Sequence, residues 1–131
     1  QVLDAEGYPT LVPAVDDDGN DRGCLNAPMV LAPLATYTGW NLRVRGQGYG
    51  AKYQFSGSTI PFPETPEERQ VTADPRASIL ERYPNAESYV KAVRAASRQL
   101  VEERYMLEED LERCVEWAKD WDRLRHRIRL P

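Results

Sequence analysis

The sequence predicts an α+β chain: a loop-rich N-terminal half with few short strands, then short helices and a C-terminal αα-hairpin. Three observations predict it. The 10 prolines and 8 glycines of this 131-residue chain sit almost entirely before Asn85. Helix-starting devices recur from Thr65 onward. After Asn85, apolar residues return at helical spacing in two successive stretches. The expected division is residues 1–64, a Pro/Gly-rich extended segment with short strands, and residues 65–131, a helical segment. Together they form one substructure.

The elements follow in order. Gly7-Tyr8-Pro9 reads as a turn, and Leu11 to Val15 as an extended stretch that Pro13 confines to an edge. Asp16-Asp17-Asp18-Gly19-Asn20-Asp21 is a turn by composition, since Asp-Gly and Gly-Asn tolerate positive φ. Leu25, Met29, Val30, Leu31 and Leu34 are apolar but broken by Pro28 and Pro33. A short strand is expected within Tyr37 to Val44, a flexible loop over Gly46 to Gly50, and strand-like alternation in Lys52-Tyr53-Gln54-Phe55.

Thr65-Pro66-Glu67-Glu68 starts a helix, with Thr65 as N-cap, Pro66 at N1 and Glu68 closing a capping box. Asp74-Pro75 repeats the device and opens a short helix that ends near Tyr83, ahead of Pro84. Asn85 caps the next helix, about 86–104, whose stripe is Tyr89, Val93, Ala96 and Leu100, widened by Val90 and Val101. The acidic turn Glu108-Glu109-Asp110 suits a helix N-terminus. It opens the last helix, about 108–127, with Leu111, Cys114, Val115, Ala118, Trp121, Leu124 and Ile128 on one face. These stripes are wide enough to need burial against more than each other.

A net charge of −4 argues against a general nucleic-acid-binding domain, which needs a basic field to displace counterions. Lys119, Arg123, Arg125, Arg127 and Arg129 crowd the C-terminus, where cations complement the helix dipole. No apolar run approaches the length of a membrane span. Cys24 and Cys114 are too few for a disulfide framework, and Cys114 on an apolar stripe reads as a buried free thiol.

Several chemistries fail on residue type. Gly46-Gln47-Gly48-Tyr49-Gly50-Ala51 fits a dinucleotide fingerprint in letters, but strand-like alternation follows where a helix is required. A calcium loop starting at Asp16 needs glycine at position 21 and glutamate at position 27; the chain has Asp21 and Ala27, which leaves a solvated turn. One histidine and two distant cysteines do not make a zinc site. Ser56, Ser58, Ser78, Ser88 and Ser97 all lack a Gly-x-Ser-x-Gly elbow. His126 lies between arginines, without an orienting carboxylate nearby in sequence, so it reads as a solvated or capping residue. The aromatic group Tyr37, Trp40, Tyr49, Tyr53 and Phe55, with Arg43 beside it, can line a substrate pocket or pack the segment onto a neighbour. Packing is the preferred reading.

Certain strings stand out in order and spacing. They are Pro13-Ala14-Val15-Asp16 with Asp18-Gly19-Asn20; the run from Pro33 to Arg43; and Gly57-Ser58-Thr59-Ile60-Pro61-Phe62-Pro63. Asp74-Pro75-Arg76, Ser78-Ile79, Glu81-Arg82-Tyr83 and the terminal hairpin follow. Together they resemble the C-terminal part of a bacterial family of α/β hydrolase domain proteins, read as serine hydrolases. In that family the nucleophile elbow and catalytic histidine lie upstream, so no catalytic residue carries over to this chain.

The resemblance implies a piece that packs on an α/β-hydrolase core, in the same polypeptide or as a cleaved chain. That core would hydrolyse an ester-type acyl bond. Tyr37, Trp40, Arg43, Tyr53 and Phe55 become candidates for the substrate entrance or for core packing. No cofactor, metal or nucleic acid is implied; a second copy of the chain stays open as a partner, and so does the compartment. The chain starts at Gln1 and not at Met, so an upstream segment, which can include a signal peptide, is expected. The contrasting reading is a non-catalytic interaction module, with the αα-hairpin docking a partner helix and the basic tail holding an acidic surface.

Overall fold

A computed structural model describes residues 11–127, with side chains up to Arg125. The expectations for Gly7-Tyr8-Pro9, for the His126 and Arg127 side chains, and for Ile128 and Arg129 lie outside the described residues.

The acidic run forms the expected turn by a local mechanism. The Asp16 carboxylate accepts from the backbone N–H groups of Asp18 at 2.9 Å and Asn20 at 2.8 Å, an Asx geometry. Gly19 takes φ +80°, and Val15 bridges Asp21 across the turn. The turn is not simply solvated, which corrects the sequence reading. Asn20 is fully buried. Its Oδ1 accepts from the Tyr37 N–H at 2.7 Å, and its Nδ2 donates to the Ala35 carbonyl at 3.5 Å. The side chain thus substitutes for a neighbouring strand.

Pro28–Leu31 forms a single helical turn, α1, with Pro28 at its start. Proline is tolerated there because the first-turn N–H has no intrahelical partner. A bent two-stranded ribbon follows. Strand β1 (Ala35–Thr38) pairs antiparallel with β4 (Ser58–Pro61), and β2 (Asn41–Leu42) with β3 (Lys52–Tyr53). The two rungs are unequal at their junction, with Gly39-Trp40 on one side and residues 54–57 on the other. The Thr38 hydroxyl braces the junction, donating to the Trp40 carbonyl at 2.5 Å and accepting from the Ser58 N–H at 3.1 Å. A Cβ on Gly57 would lie 2.2 Å from the Thr38 carbonyl oxygen, so only glycine fits there.

The glycine run Gly46–Gly50 closes the outer rung. Gly46, Gly48 and Gly50 all have positive φ, which costs glycine nothing sterically. The dinucleotide-like letters therefore spell a hairpin turn.

Thr65 caps α2 (Pro66–Thr72), its side chain accepting from the Glu68 N–H at 3.2 Å. The Glu68 carboxylate reaches past the cap to the Glu64 N–H at 2.7 Å, so the reciprocal bond sits one residue upstream of the expected box. Asp74 does not open the next helix. Ser78 caps α3 (Ile79–Arg82) in a capping box with Glu81, which frees the Asp74 carboxylate for Arg76. Asn85 and Ser88 form the capping box of α4 (Ala86–Glu102).

Beyond the Arg104 turn, where φ is +66°, the chain returns as α5 (Glu108–Ala118) packed along α4. The last helix is not continuous to 127. The N–H groups of Lys119 and Asp120 bond to carbonyls three residues back, tightening the end of α5. A separate α6 (Trp121–Arg127) then begins.

That break turns Trp121 into an aromatic core. Its ring centroid lies 4.9 Å from Tyr89 and 6.3 Å from Tyr83, and the two tyrosines are 5.1 Å apart, edge to face. Ala32, Leu34, Phe62, Ile79, Val93, Ala118 and Leu124 complete the cluster. Ser97, absent from the expected stripe, is fully buried on the same α4 face as Tyr89, Val93 and Leu100.

An arginine clamp ties the loop-rich half to the helices. Two guanidinium groups lie over the Phe62 ring, Arg76 at 5.0 Å and Arg82 at 4.5 Å. Arg76 donates to the Thr36 hydroxyl at 2.8 Å, to the Ile60 and Pro61 carbonyls at 3.1 Å, and to Asp74. Arg82 reaches back to Asp18 in a bidentate pair.

Candidate functional site

Chemistry-bearing side chains are mostly committed to structure. Ser78 and Ser88 belong to helix caps. Ser58 braces the ribbon junction through the Trp40 carbonyl, and Ser97 is sealed between helices. Cys24 and Cys114 are both free thiols, Cys24 exposed and Cys114 half-buried. Burial pushes the Cys114 thiol above its ordinary value, against a smaller pull from the Ser97 hydroxyl. A raised thiol is a poor nucleophile. Among the described residues, no three or more His, Cys, Asp or Glu side chains gather as metal ligands do. Within the acidic turn, the Asp18 carboxylate is engaged by Arg82 and that of Asp16 by the turn's own N–H groups.

The basic C-terminal segment is neutralised as far as its side chains are described. Lys119 pairs with Glu116 at 2.5 Å, Arg123 with Asp120 at 3.0 Å, and Arg125 with Asp122 at 2.8 Å and Glu64 at 3.2 Å. A shallow open cleft of about 540 Å³ lies at the α4–α5 turn, between Arg104, Tyr105, Leu107 and Cys114. It has no buried polar group directed into it beyond the raised thiol.

The aromatic set singled out from sequence divides in two. Tyr37 belongs to the base of the ribbon. It is half-buried, and burial raises its phenol. Trp40 is half-buried at the ribbon junction. Arg43, Tyr53 and Phe55 come together on the outer hairpin, joined by Arg45 and Tyr49. Arg43 lies over the Tyr53 ring at 5.1 Å, Arg45 over Tyr49 at 5.5 Å, and Tyr53 meets Phe55 edge-on at 5.7 Å.

The register explains this grouping. Asn41 pairs with Tyr53 and Leu42 with Lys52. Side chains alternate faces along a strand, so Asn41 and Tyr53 share one face and Leu42 and Lys52 the other, while Arg43 and Phe55 join Tyr53 through their ring contacts. Neither Arg43, Arg45 nor Lys52 has a carboxylate partner among the described residues. The cause is sequence-level and easily overlooked: no Asp or Glu occurs between Arg22 and Pro63. Net charge over the whole chain hides that segregation.

The family model described as "Alpha/beta hydrolase domain" matches residues 1–116 of this chain. Comparison with curated proteins and with solved structures gave no match.

Proposed function

The chain belongs to the α/β hydrolase domain family, and from that premise we propose that it is the C-terminal part of a serine hydrolase whose chemistry resides in an upstream core. The carrying observation joins that membership to the residues present. A serine hydrolase needs an elbow serine, a base and an orienting acid. This chain has one histidine and no Gly-x-Ser-x-Gly. In this reading residues 1–64 and 65–131 act as one substructure, held by the Arg76–Phe62–Arg82 clamp. It packs on the core and leaves the outer hairpin, with Arg43, Tyr53 and Phe55, at the rim of the substrate entrance. Ester-type acyl bonds are the substrate class.

Large apolar side chains exposed on α2, α5 and the loop before α1 support the packing role, among them Val71, Trp117 and Leu25. Such side chains gain from being covered.

The test has two arms. The pure chain should not turn over a p-nitrophenyl ester. The coding DNA upstream of the Gln1 codon should continue in frame through a Gly-x-Ser-x-Gly and a later histidine, and the longer product should hydrolyse the ester until that serine is changed to alanine. Turnover by the chain alone, abolished by mutating one of its own serines, contradicts the proposal.

A further inference from the structure

The outer hairpin combines four properties. Its cations Arg43, Arg45 and Lys52 are unpaired among the described residues, in contrast to the neutralised cations of α5 and α6. Its apolar side chains are open to solvent: Phe55 is 90% exposed, Tyr49 69%, Val44 64% and Leu42 53%. Register and alternation put these groups on both faces, with Tyr53, and Arg43 and Phe55 packed on its ring, on one side and Leu42 and Lys52 on the other. The cleft at the α4–α5 turn is lined by none of them.

Each property narrows the partner. Unpaired cations without a nearby acid call for an anion. Side chains this open to solvent disfavour a small ligand, which is normally enclosed on most of its surface. A protein or nucleic-acid surface would cover one face of a two-stranded hairpin and leave the other apolar face in water. Single-stranded nucleic acid would use the aromatics as a stacking platform, but would have no use for Leu42 and Val44. A medium that surrounds the hairpin on both faces satisfies all four properties. The boundary of an anionic bilayer is such a medium. Aromatic rings sit at headgroup depth, aliphatic groups dip below it, and Arg and Lys stay with the phosphates.

We propose that the β2–β3 hairpin is an interfacial anchor that seats on an anionic lipid surface. Arg43 and Arg45, held over Tyr53 and Tyr49, present their charge beside the rings that insert. The three glycines at the tip let the turn remain narrow. This goes beyond the hydrolase reading and does not rest on it, because the anchor is complete within the described residues.

The experiment is vesicle sedimentation of the full chain. Phosphatidylcholine vesicles with roughly 30% phosphatidylglycerol should pull the chain down at low salt, and pure phosphatidylcholine should not. Binding should fall away in about 1 M salt, where charges are screened beyond about 3 Å. The double variant R43Q/R45Q should lose roughly thirtyfold in partitioning, the conversion of about 1 kcal/mol per basic residue near such a surface. F55S should weaken binding at every salt concentration. All three positions lie outside the core, and unchanged circular dichroism checks the fold. Equal binding to both vesicle types overturns the proposal, as does no binding to either. So does R43Q/R45Q behaving as wild type while R123Q loses affinity, which would move the contact to the helices. Capture of a single-stranded oligonucleotide through Arg43 and Arg45, without vesicle binding, replaces the lipid by nucleic acid.

Discussion

Asn20 to alanine, compared with Asn20 to aspartate, tests the least expected part of the fold. Asn20 is fully buried and serves the edge of β1, accepting from Tyr37 N–H at 2.7 Å. Alanine leaves that N–H buried and unpaired, a cost of about 1–3 kcal/mol. Its bond to the Ala35 carbonyl is long, 3.5 Å, and adds little. A central value of about 2 kcal/mol, with a urea slope of about 1.5 kcal/mol/M, lowers the unfolding midpoint by about 1.3 M.

Aspartate keeps the acceptor for Tyr37 but sets an anionic oxygen against the Ala35 carbonyl, near the carboxylates of Asp16 and Asp18. Burying that charge without a partner costs more than alanine does. At pH 7 the expected order of stability is therefore wild type, then Asn20→Ala, then Asn20→Asp. The new carboxyl would have a raised pKa in the folded state, so the native state binds its proton more readily than the unfolded state. The aspartate variant should then recover relative to wild type as pH falls from 7 toward 4. Urea melts followed by tryptophan fluorescence at both pH values measure this, with Trp121 in the core as reporter. An alanine variant within about 0.3 M of the wild-type midpoint, or an aspartate variant as stable as wild type at pH 7, refutes the buried role of Asn20.

Three further outcomes are expected. Gly57→Ala should destabilise by about 3 kcal/mol or more, because its Cβ would meet the Thr38 carbonyl at 2.2 Å. Gly39→Ala, with nothing within 4 Å of its Cβ, should stay within about 0.5 kcal/mol of wild type in the same melts. Burial pushes the Tyr83 phenol up to about 12 and raises that of Tyr89 as well. Both are acids protonated longer in the folded state, so their contribution is complete below about pH 10 and declines as pH rises toward 12. Melting temperature measured between pH 9 and 11.5 should fall in wild type and fall less in Tyr83→Phe/Tyr89→Phe; parallel curves would contradict the burial. Ellman's reagent should titrate one fast thiol per native chain, the exposed Cys24, and reach half-buried Cys114 only slowly. Two equally fast thiols would show that the α4–α5 contact opens freely.

Local rules made much of the fold legible in advance. The α+β class, the N-caps Thr65 and Asn85, and the glycine-driven turns all depend on neighbours within a few residues, so their physics is complete within a short string. The same holds for the amphipathic stripes of α4 and α5. The departures arise where a distant group outbid a local one. Asp74 resembles a helix cap until Arg76, engaged with Thr36 and the Ile60 and Pro61 carbonyls, takes its carboxylate. Asp18 and Asn20 resemble solvated turn residues until Arg82 and β1 claim them. The helix read as continuous over 108–127 breaks at Lys119 and Asp120, and its continuation carries Trp121 into contact with Tyr83 and Tyr89.

The candidate site shows the same division. Sequence alone determined that Arg43, Tyr53 and Phe55 are a conspicuous set on a glycine-closed loop, and that no serine-histidine chemistry is spelled out in this chain. Residue type and spacing suffice for both statements. Only the tertiary structure decided that Tyr37 sits half-buried at the base of the ribbon while Arg43, Tyr53 and Phe55 gather on the outer hairpin. Strand register assigns side chains to faces, and a one-residue slip would have reversed every assignment. That register is the pairing of Asn41 with Tyr53 and of Leu42 with Lys52, contacts across a turn that no string of neighbouring residues spells out.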